Sequence, residues 1–463
     1  MTLSYKPCIE QLRSHGERPF LHDAAGTTSY HGLCMQIERH LSLLTYSGVQ
    51  AGQTVFVQGD YSLARIALFL ALYQNGNIVV LNTSTNEAEI ATKLRVVQAD
   101  YRIDAQGVIT RHVATGTATT AENRLLNGLR ERNRAGLILF SSGTTGEPKA
   151  MLHDLDTLVD AFLGRRAKAT NILLFLLFDH IGGINTLLNI LASGASATLP
   201  GEKTPENVAA MIERYKVVVL PTSPTFLNLL LVSGLLDPVR LSSLRMITYG
   251  TEPMPHTLLA RLRERLPRVK LLQTFGTSET GIVSTASRSS DSLFMRFDDG
   301  DTEHRVVNGE LWLRSKRQIL GYLNHQSDRF TDDGWYKTGD MVEQGEDGFL
   351  RIQGRDSDIV NVGGEKVFPA EVESILLRLP FIVDCKAYGQ PNAITGQSVC
   401  VDVVLRDTPP EEHKARALEI KRFARDNMDA FKAPTRINVV AQLAYSARFK
   451  KLKAATQYLE EEE

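Results

Sequence analysis

Ten residues, Phe140-Ser141-Ser142-Gly143-Thr144-Thr145-Gly146-Glu147-Pro148-Lys149, crowd glycine and hydroxylated side chains directly behind an apolar run, and they constrain the fold more than any other stretch. Glycines expose backbone N–H groups in a tight turn, hydroxyls donate to phosphoryl oxygens, and a lysine adds positive charge, so the string has the chemistry of a phosphate loop fed by the strand-like segment 136–140. It is not the familiar P-loop. Five residues on from Gly143 stands Pro148, and Ala150 occupies the position of the hydroxyl that would hold magnesium. A nucleotide fold of another kind is required. Taken alone, the stretch reads more often as a glycine-rich surface turn.

At 463 residues the chain exceeds one ordinary core, and length alone suggests about three folding units fused into fewer domains. Lys+Arg 52 against Asp+Glu 53 leaves a net charge of −1, so composition offers no general field for nucleic acid or for an anionic membrane. Charged ligands must be attracted locally. Cys8, Cys34, Cys385 and Cys400 lack the paired spacings of a zinc site or a small disulfide framework, which makes a reducing cytoplasm the simplest location. Polar Thr2, Ser4 and Lys6 follow Met1 where a secretory peptide would be apolar. The longest apolar run, Ile172 to Phe178, is too short to span a membrane as a helix and reads as a buried strand. Nothing in the pattern specifies an oligomeric state.

Strands alternate with helices along most of the chain. Val55-Phe56-Val57, a helical stretch through Leu68-Phe69-Leu70, and Ile78-Val79-Val80-Leu81 make a βαβ rhythm. Val217 to Leu220 and Leu244 to Thr248 read as strands. Pro255 to Leu266 reads as a helix stopped by Pro267, with the strand 269–272 beyond it. The expected fold class is α/β, a large N-terminal domain of layered sheets flanked by helices over residues 1–354, with functional groups on loops at strand ends. After Gly354 the order changes. Helices over 371–379 and 411–431 bracket strands over 382–388 and 398–405, which predicts a small mobile α+β domain over residues 355–463.

Four further clusters follow the first: Gly250-Thr251-Glu252-Pro253, Phe275-Gly276-Thr277-Ser278-Glu279, Trp335-Tyr336-Lys337-Thr338-Gly339-Asp340, and Gly354-Arg355-Asp356-Ser357-Asp358 running on to Gly363-Gly364-Glu365 and Glu371. With these five in order, the chain resembles the adenylate-forming superfamily of acyl-CoA and aryl-CoA synthetases, peptide-synthetase adenylation domains and luciferases. The resemblance covers nearly the whole chain. It implies that Ser141, Ser142, Gly143, Thr144, Thr145, Gly146 and Lys149 cradle the β- and γ-phosphates of ATP, and that Gly250, Thr251 and Glu252 form an adenine-contacting turn. By the same resemblance Phe275 stacks on adenine, Gly276 and Thr277 continue the nucleotide strip, Ser278 lies by the α-phosphate, and Glu279 coordinates Mg²⁺, a hard cation that requires oxygen ligands. Asp340 matches the ribose-binding aspartate, whose carboxylate accepts from two hydroxyls, and Arg355 a second ribose or phosphate contact.

The family presents a catalytic lysine in the setting Thr-x-x-Gly-Lys near its C-terminus. Alignment puts Ser446 at the Thr, Phe449 at the Gly and Lys450 at the Lys, with Lys451 and Lys453 close enough for a shifted register. A cation is needed there, because a carboxylate and a phosphate must approach each other. For the acid, the resemblance aligns His180 with the histidine of acyl and aryl members and Ile181 with the aspartate that pairs an amino acid's ammonium in peptide synthetases; Gly276 also faces the acid. An uncharged pocket follows, unless the register shifts and Asp179 takes the ammonium. A buried structural role for His180 is an equal reading. Ser357 matches the hinge about which the small domain turns, carrying the Gly363-Gly364 loop toward the thiol channel. The implied reaction joins a carboxylic acid to coenzyme A through an acyl adenylate. A carrier protein or an amine as acceptor, and an inactive nucleotide-binding scaffold, are the alternatives.

Overall fold

The computed structural model describes residues 5–112, 120–141, 147–164, 168–446, 449 and 451–452. Among the described residues two seven-stranded sheets dominate the N-terminal part. One carries the βαβ unit expected from the sequence: Thr54–Gln58, the helix Leu63–Gln74 and Ile78–Asn82, with the two strands parallel in register from Thr54↔Ile78 to Gln58↔Asn82. Every residue of both strands is buried, as parallel strands covered on two faces must be. The same sheet continues through Gly136–Ser141 and, antiparallel to it, Lys149–Asp154.

The second sheet sets Asn171–Leu173, Val219–Thr222, Met246–Tyr249 and Lys270–Gln273 side by side and parallel. The helix His256–Arg265 returns the chain between the last two, burying Leu258, Leu259 and Leu262 as the leucine spacing foretold. The chain leaves the carboxyl ends of three adjacent strands at Ser223, Gly250 and Thr274, and open α/β sheets bind their ligands at such ends.

One strand departs from expectation. Of the apolar run Ile172 to Phe178 only Ile172 and Leu173 lie in a strand; after Leu174 donates to Thr198 O the chain turns out of the ladder. Phe175 and Phe178 remain buried at 3% and 0% exposure. The run reports burial rather than pleat.

A six-stranded antiparallel sheet follows, in which Tyr336–Gln344 pairs with Leu350–Arg355. The expected border at 354/355 therefore falls at the last residue of a strand. Beyond it, Ile382–Asn392 and Gly396–Leu405 pair as a long hairpin, and the helices Pro369–Leu376 and His413–Asn427 cover it with a core of its own built on Val372, Leu376, Val401, Ile420 and Ala424. The two parts touch. Thr257 Oγ1 donates to Ser374 O at 2.7 Å, and the Arg261 guanidinium donates to Leu377 O at 2.8 Å.

His153, on the strand Lys149–Asp154, is fully buried with neither ring nitrogen hydrogen-bonded. Burial alone pushes its pKa down to about 4. Between the ordinary histidine pKa and that value the unfolded chain binds a proton that the folded chain refuses, so stability is complete above about pH 6.5 and falls as the pH drops toward 4. The loss across this window amounts to roughly 3 kcal/mol. Denaturant titrations at pH 7 and pH 4.5 are expected to show it, and His153→Leu to flatten it.

Candidate active site

A cleft of about 500 Å³ opens between the two parts of the molecule. Gly250, Thr251 and Glu252 line it together with Phe275, Gly276, Asp340, Arg355 and Ser357, so four clusters far apart in sequence meet on one surface. Packing explains two glycines. A Cβ on Gly250 would lie 2.8 Å from Thr274 O, and one on Gly276 2.5 Å from Gly281 O, so only hydrogen fits where these loops cross. Thr251 holds a left-handed backbone with φ 72°, a strained state for a β-branched residue. It is over-determined by its neighbour: Glu252 Oε1 accepts from Thr225 N at 2.7 Å, fastening the turn to the first turn of the helix Pro224–Val232. Phe275 presents one face to the cleft and packs against Phe297, 5.7 Å between ring centroids.

Asp340 and Arg355 face each other across the paired strands Tyr336–Gln344 and Leu350–Arg355, with Arg355 Nε 2.9 Å from Asp340 Oδ1. Asp340 is buried while Arg355 is half-exposed, so the carboxylate is fixed and the guanidinium can swing. Asp340→Asn keeps the shape and removes the charge. With the ribose-binding role that the resemblance implies for Asp340, the expected result is AMP binding weakened about tenfold to a hundredfold, measured by titration calorimetry, since hydrogen bonds to charged groups contribute about 1.5–3 kcal/mol.

Lys149, Ser278 and Glu279 are not among the residues lining the cleft; a polar chain joins Glu279 to the first cluster. Tyr322 donates to Glu279 Oε1 at 2.8 Å, and the Tyr336 phenol feels the charge of the same carboxylate. Burial, with the Glu279 charge behind it, raises both phenol pKa values, so both remain donors. Tyr322 meets the His325 ring edge-on at 5.5 Å, and His325 Nε2 accepts from Lys149 Nζ at 2.9 Å. Burial first, then the Lys149 charge, lowers the His325 pKa and keeps that ring neutral. Asn324 clamps the loop's exit, donating to Pro148 O and accepting from Ala150 N, both at 2.9 Å. Ser141 and Lys149 are partners in an antiparallel pair, so the loop between them joins two strands. Ser142, Gly143, Thr144, Thr145 and Gly146 lie outside the described residues.

Among the described residues no three metal-ligating side chains gather. A single carboxylate oriented by the Tyr322 phenol suits magnesium carried on a nucleotide, because that ion keeps several waters and takes one or two carboxylates plus phosphate oxygens.

The remaining sequence expectations divide. Ser357 sits in a short 3₁₀ turn at the cleft wall, and Gly363 and Gly364 take left-handed φ values between the strands Val360–Val362 and Glu365–Val367. Thr277 is buried and bonded to Thr280; Ser278 is half-buried in the turn after it. His180 is not among the residues lining the cleft. It caps the helix Ile181–Ser193, its Nδ1 accepting from Gly182 N at 3.3 Å. Ile181 lines a separate apolar recess of about 10 Å³ with Leu158, Phe162 and Ile184. Asp179 is buried, its Oδ2 accepting from Thr83 N and Oγ1 at 3.0 and 2.9 Å.

Lys450 and Lys453 lie outside the described residues. Lys451 is buried at the cleft, 2.6 Å from Asp384 Oδ1 and 3.9 Å from Glu373 Oε2, and donates to Cys385 O at 2.8 Å. Burial opposes its charge, yet the two carboxylates outweigh that and hold its pKa above the ordinary lysine value. Tyr322, Asn324, His325 and this lysine network escaped the sequence reading. Gly321-Tyr322, set between Ile319-Leu320 and Leu323, was the one local signal.

Comparison with known proteins identifies the family. The AMP-binding enzyme family matches over residues 8–323, and the AMP-binding enzyme C-terminal domain over 371–450. The chain therefore belongs to the AMP-binding enzymes of the adenylate-forming superfamily. Within that class it is acyl-CoA synthetase-like. It is 26% identical to a 2-succinylbenzoate–CoA ligase of Listeria monocytogenes over 89% of this chain and 90% of that one. It is 27% identical to an indoleacetate–CoA ligase of Aromatoleum aromaticum over 67% of this chain, spanning 64% of that relative's length. In fold it is similar to the o-succinylbenzoate CoA synthetase of Bacillus subtilis solved with its acyl-adenylate intermediate, with a TM-score of 0.79 at 21% identity over 99% of both chains.

Proposed function

We propose that this protein is an ATP-dependent carboxylic acid:CoA ligase working through an acyl adenylate. One observation carries the reading: Gly250 to Glu252, Phe275, Gly276, Asp340 and Arg355 converge on a single cleft. In the first half-reaction a carboxylate oxygen attacks the α-phosphorus of ATP, the bond to the pyrophosphate oxygen breaks, and acyl-AMP forms. Phe275 holds the adenine face, Asp340 accepts from the ribose hydroxyls and Arg355 reaches ribose or phosphate. Lys149 and the hydroxyls of Ser141 to Thr145 hold the departing phosphates. Lys450 supplies the cation between carboxylate and α-phosphate. Glu279 would hold magnesium, which neutralises phosphate charge when bound.

In the second half-reaction the CoA thiolate attacks the acyl carbon and AMP leaves. The domain from 355 onward turns about Ser357 to exchange Lys450 for the Gly363-Gly364 loop. Asp179, which a shifted register would bring to an amino acid's ammonium, is engaged by Thr83 instead, so an acid without an α-ammonium is the better match. Among the described residues no helix is long and apolar enough to cross a membrane. With its cysteines buried and reduced, a cytoplasmic location suits the enzyme.

The test incubates the protein with Mg·ATP and a panel of carboxylic acids, scores AMP release, and then offers CoA, holo carrier protein or amines. Thioester with CoA is the expected product. AMP formation with no CoA thioester would transfer the reading to a carrier protein or an amine.

A further inference from the structure

Phe449 stands where the superfamily has glycine, and it keeps the glycine's backbone: its φ is 53°, in the left-handed region. A bulky residue in that region is uncommon and needs a compensating contact. The contact is made by its ring. Phe449 lies 5.2 Å from Phe175 and 4.9 Å from Phe226 between ring centroids, and those two are themselves 4.3 Å apart and buried in the core of the large domain. The backbone is caught as well, Ser223 Oγ donating to Phe449 O at 3.4 Å.

The described residues on either side of it are tied to one another. Phe449 N donates to Ser446 O, Tyr445 bridges Lys451, and Leu452 N donates to Ala444 O. Its other anchor belongs to the small domain, where Lys451 is held by Asp384 and Glu373 and Tyr445 donates to Asp384 Oδ2 at 2.9 Å. Residues 449 and 451 thus fasten to opposite domains, and Lys450 stands between them in sequence.

We infer that Phe449 is a positioning residue for the first half-reaction: its ring, seated on Phe175 and Phe226, pins the tail to the large domain beside the small-domain anchor at Lys451, and it must unseat before the small domain turns for thioester formation. This rests on the ligase reading above. A glycine at 449 would supply the turn without the grip. The aromatic therefore biases the enzyme toward adenylation and puts the release of three packed rings on the path to the second step.

Three substitutions separate ring from backbone. Phe449→Ala and Phe449→Gly are expected to lower kcat for ATP–pyrophosphate exchange about tenfold, with KM for ATP changed less than about threefold, and Phe449→Leu to retain most of the rate. Thioester formation from purified acyl adenylate and CoA is expected to be unchanged or faster in all three, which also reports that they fold. A proportional loss in both half-reactions, or exchange rates equal to wild type, would overturn the inference. A second readout needs no activity. Tyr46 and Ile394 are 92% and 93% exposed on the two domains, and the four native cysteines are buried, so Tyr46→Cys and Ile394→Cys accept a dye pair selectively. Energy transfer is expected to lose its docked value in Phe449→Gly. If wild type makes no AMP with any acid, the ligase reading fails, and this transfer alone decides the latch: an unchanged value rejects it.

Discussion

Lys450→Ala is expected to lower acyl-adenylate formation by about 10²–10³-fold while AMP binding changes less than about threefold, because the lysine acts on charge that develops only as carboxylate and α-phosphate close on each other. Its neighbour provides the contrast. Lys451 is committed to Asp384 and Glu373, and removing it leaves buried Asp384 without its cation, while Glu373 keeps Lys386 at 3.6 Å. Breaking a buried pair from one side costs about 3–5 kcal/mol, so Lys451→Ala shows itself first as a fall in melting temperature. The left-handed backbone of Phe449, at the position assigned to glycine, supports the same register. Pyrophosphate exchange and melting curves on the two variants decide the matter. Loss of exchange in Lys451→Ala with unaltered stability, and a normal rate in Lys450→Ala, would move the catalytic assignment by one residue.

Glu279→Gln is the second large effect. The amide has the size of the carboxylate and keeps an oxygen for Tyr322, so packing and the phenol contact survive while the charge is lost. A drop in kcat of about a hundredfold, and a rise of at least about tenfold in the Mg²⁺ concentration giving half-maximal rate, are expected. Tyr322→Phe leaves the charge but frees the carboxylate to rotate, and its effect is smaller. A Glu279→Gln enzyme with an unaltered Mg²⁺ curve would show that the carboxylate serves the loop's structure alone.

The sequence announced the parts of this molecule governed by short-range pattern. The buried strands 54–58 and 78–82, the leucine face of 256–265 and the compact C-terminal unit all carry periodicity that survives folding. The cleft was legible for a different reason: its residues lie in turns where glycine, proline and charged groups stand out against apolar flanks. What escaped notice depends on partners far away in the chain. Asn324 reads as an ordinary polar residue until Pro148 and Ala150 lie beside it. Phe449 reads as a defect in a motif until Phe175 and Phe226 supply its seat. His180 drew attention through its chemistry, yet its ring nitrogen caps the helix that begins one residue later. Ile172 to Phe178 misled because hydrophobicity records the absence of water and is silent on dihedral angles.

The pairing of Ser141 with Lys149, braced by Asn324, means that the loop they enclose has both stems fixed by the sheet. Substitutions confined to residues 142–146 leave the ladder groups of both stems in place, so their effect on catalysis can be read apart from any change in the strands on either side.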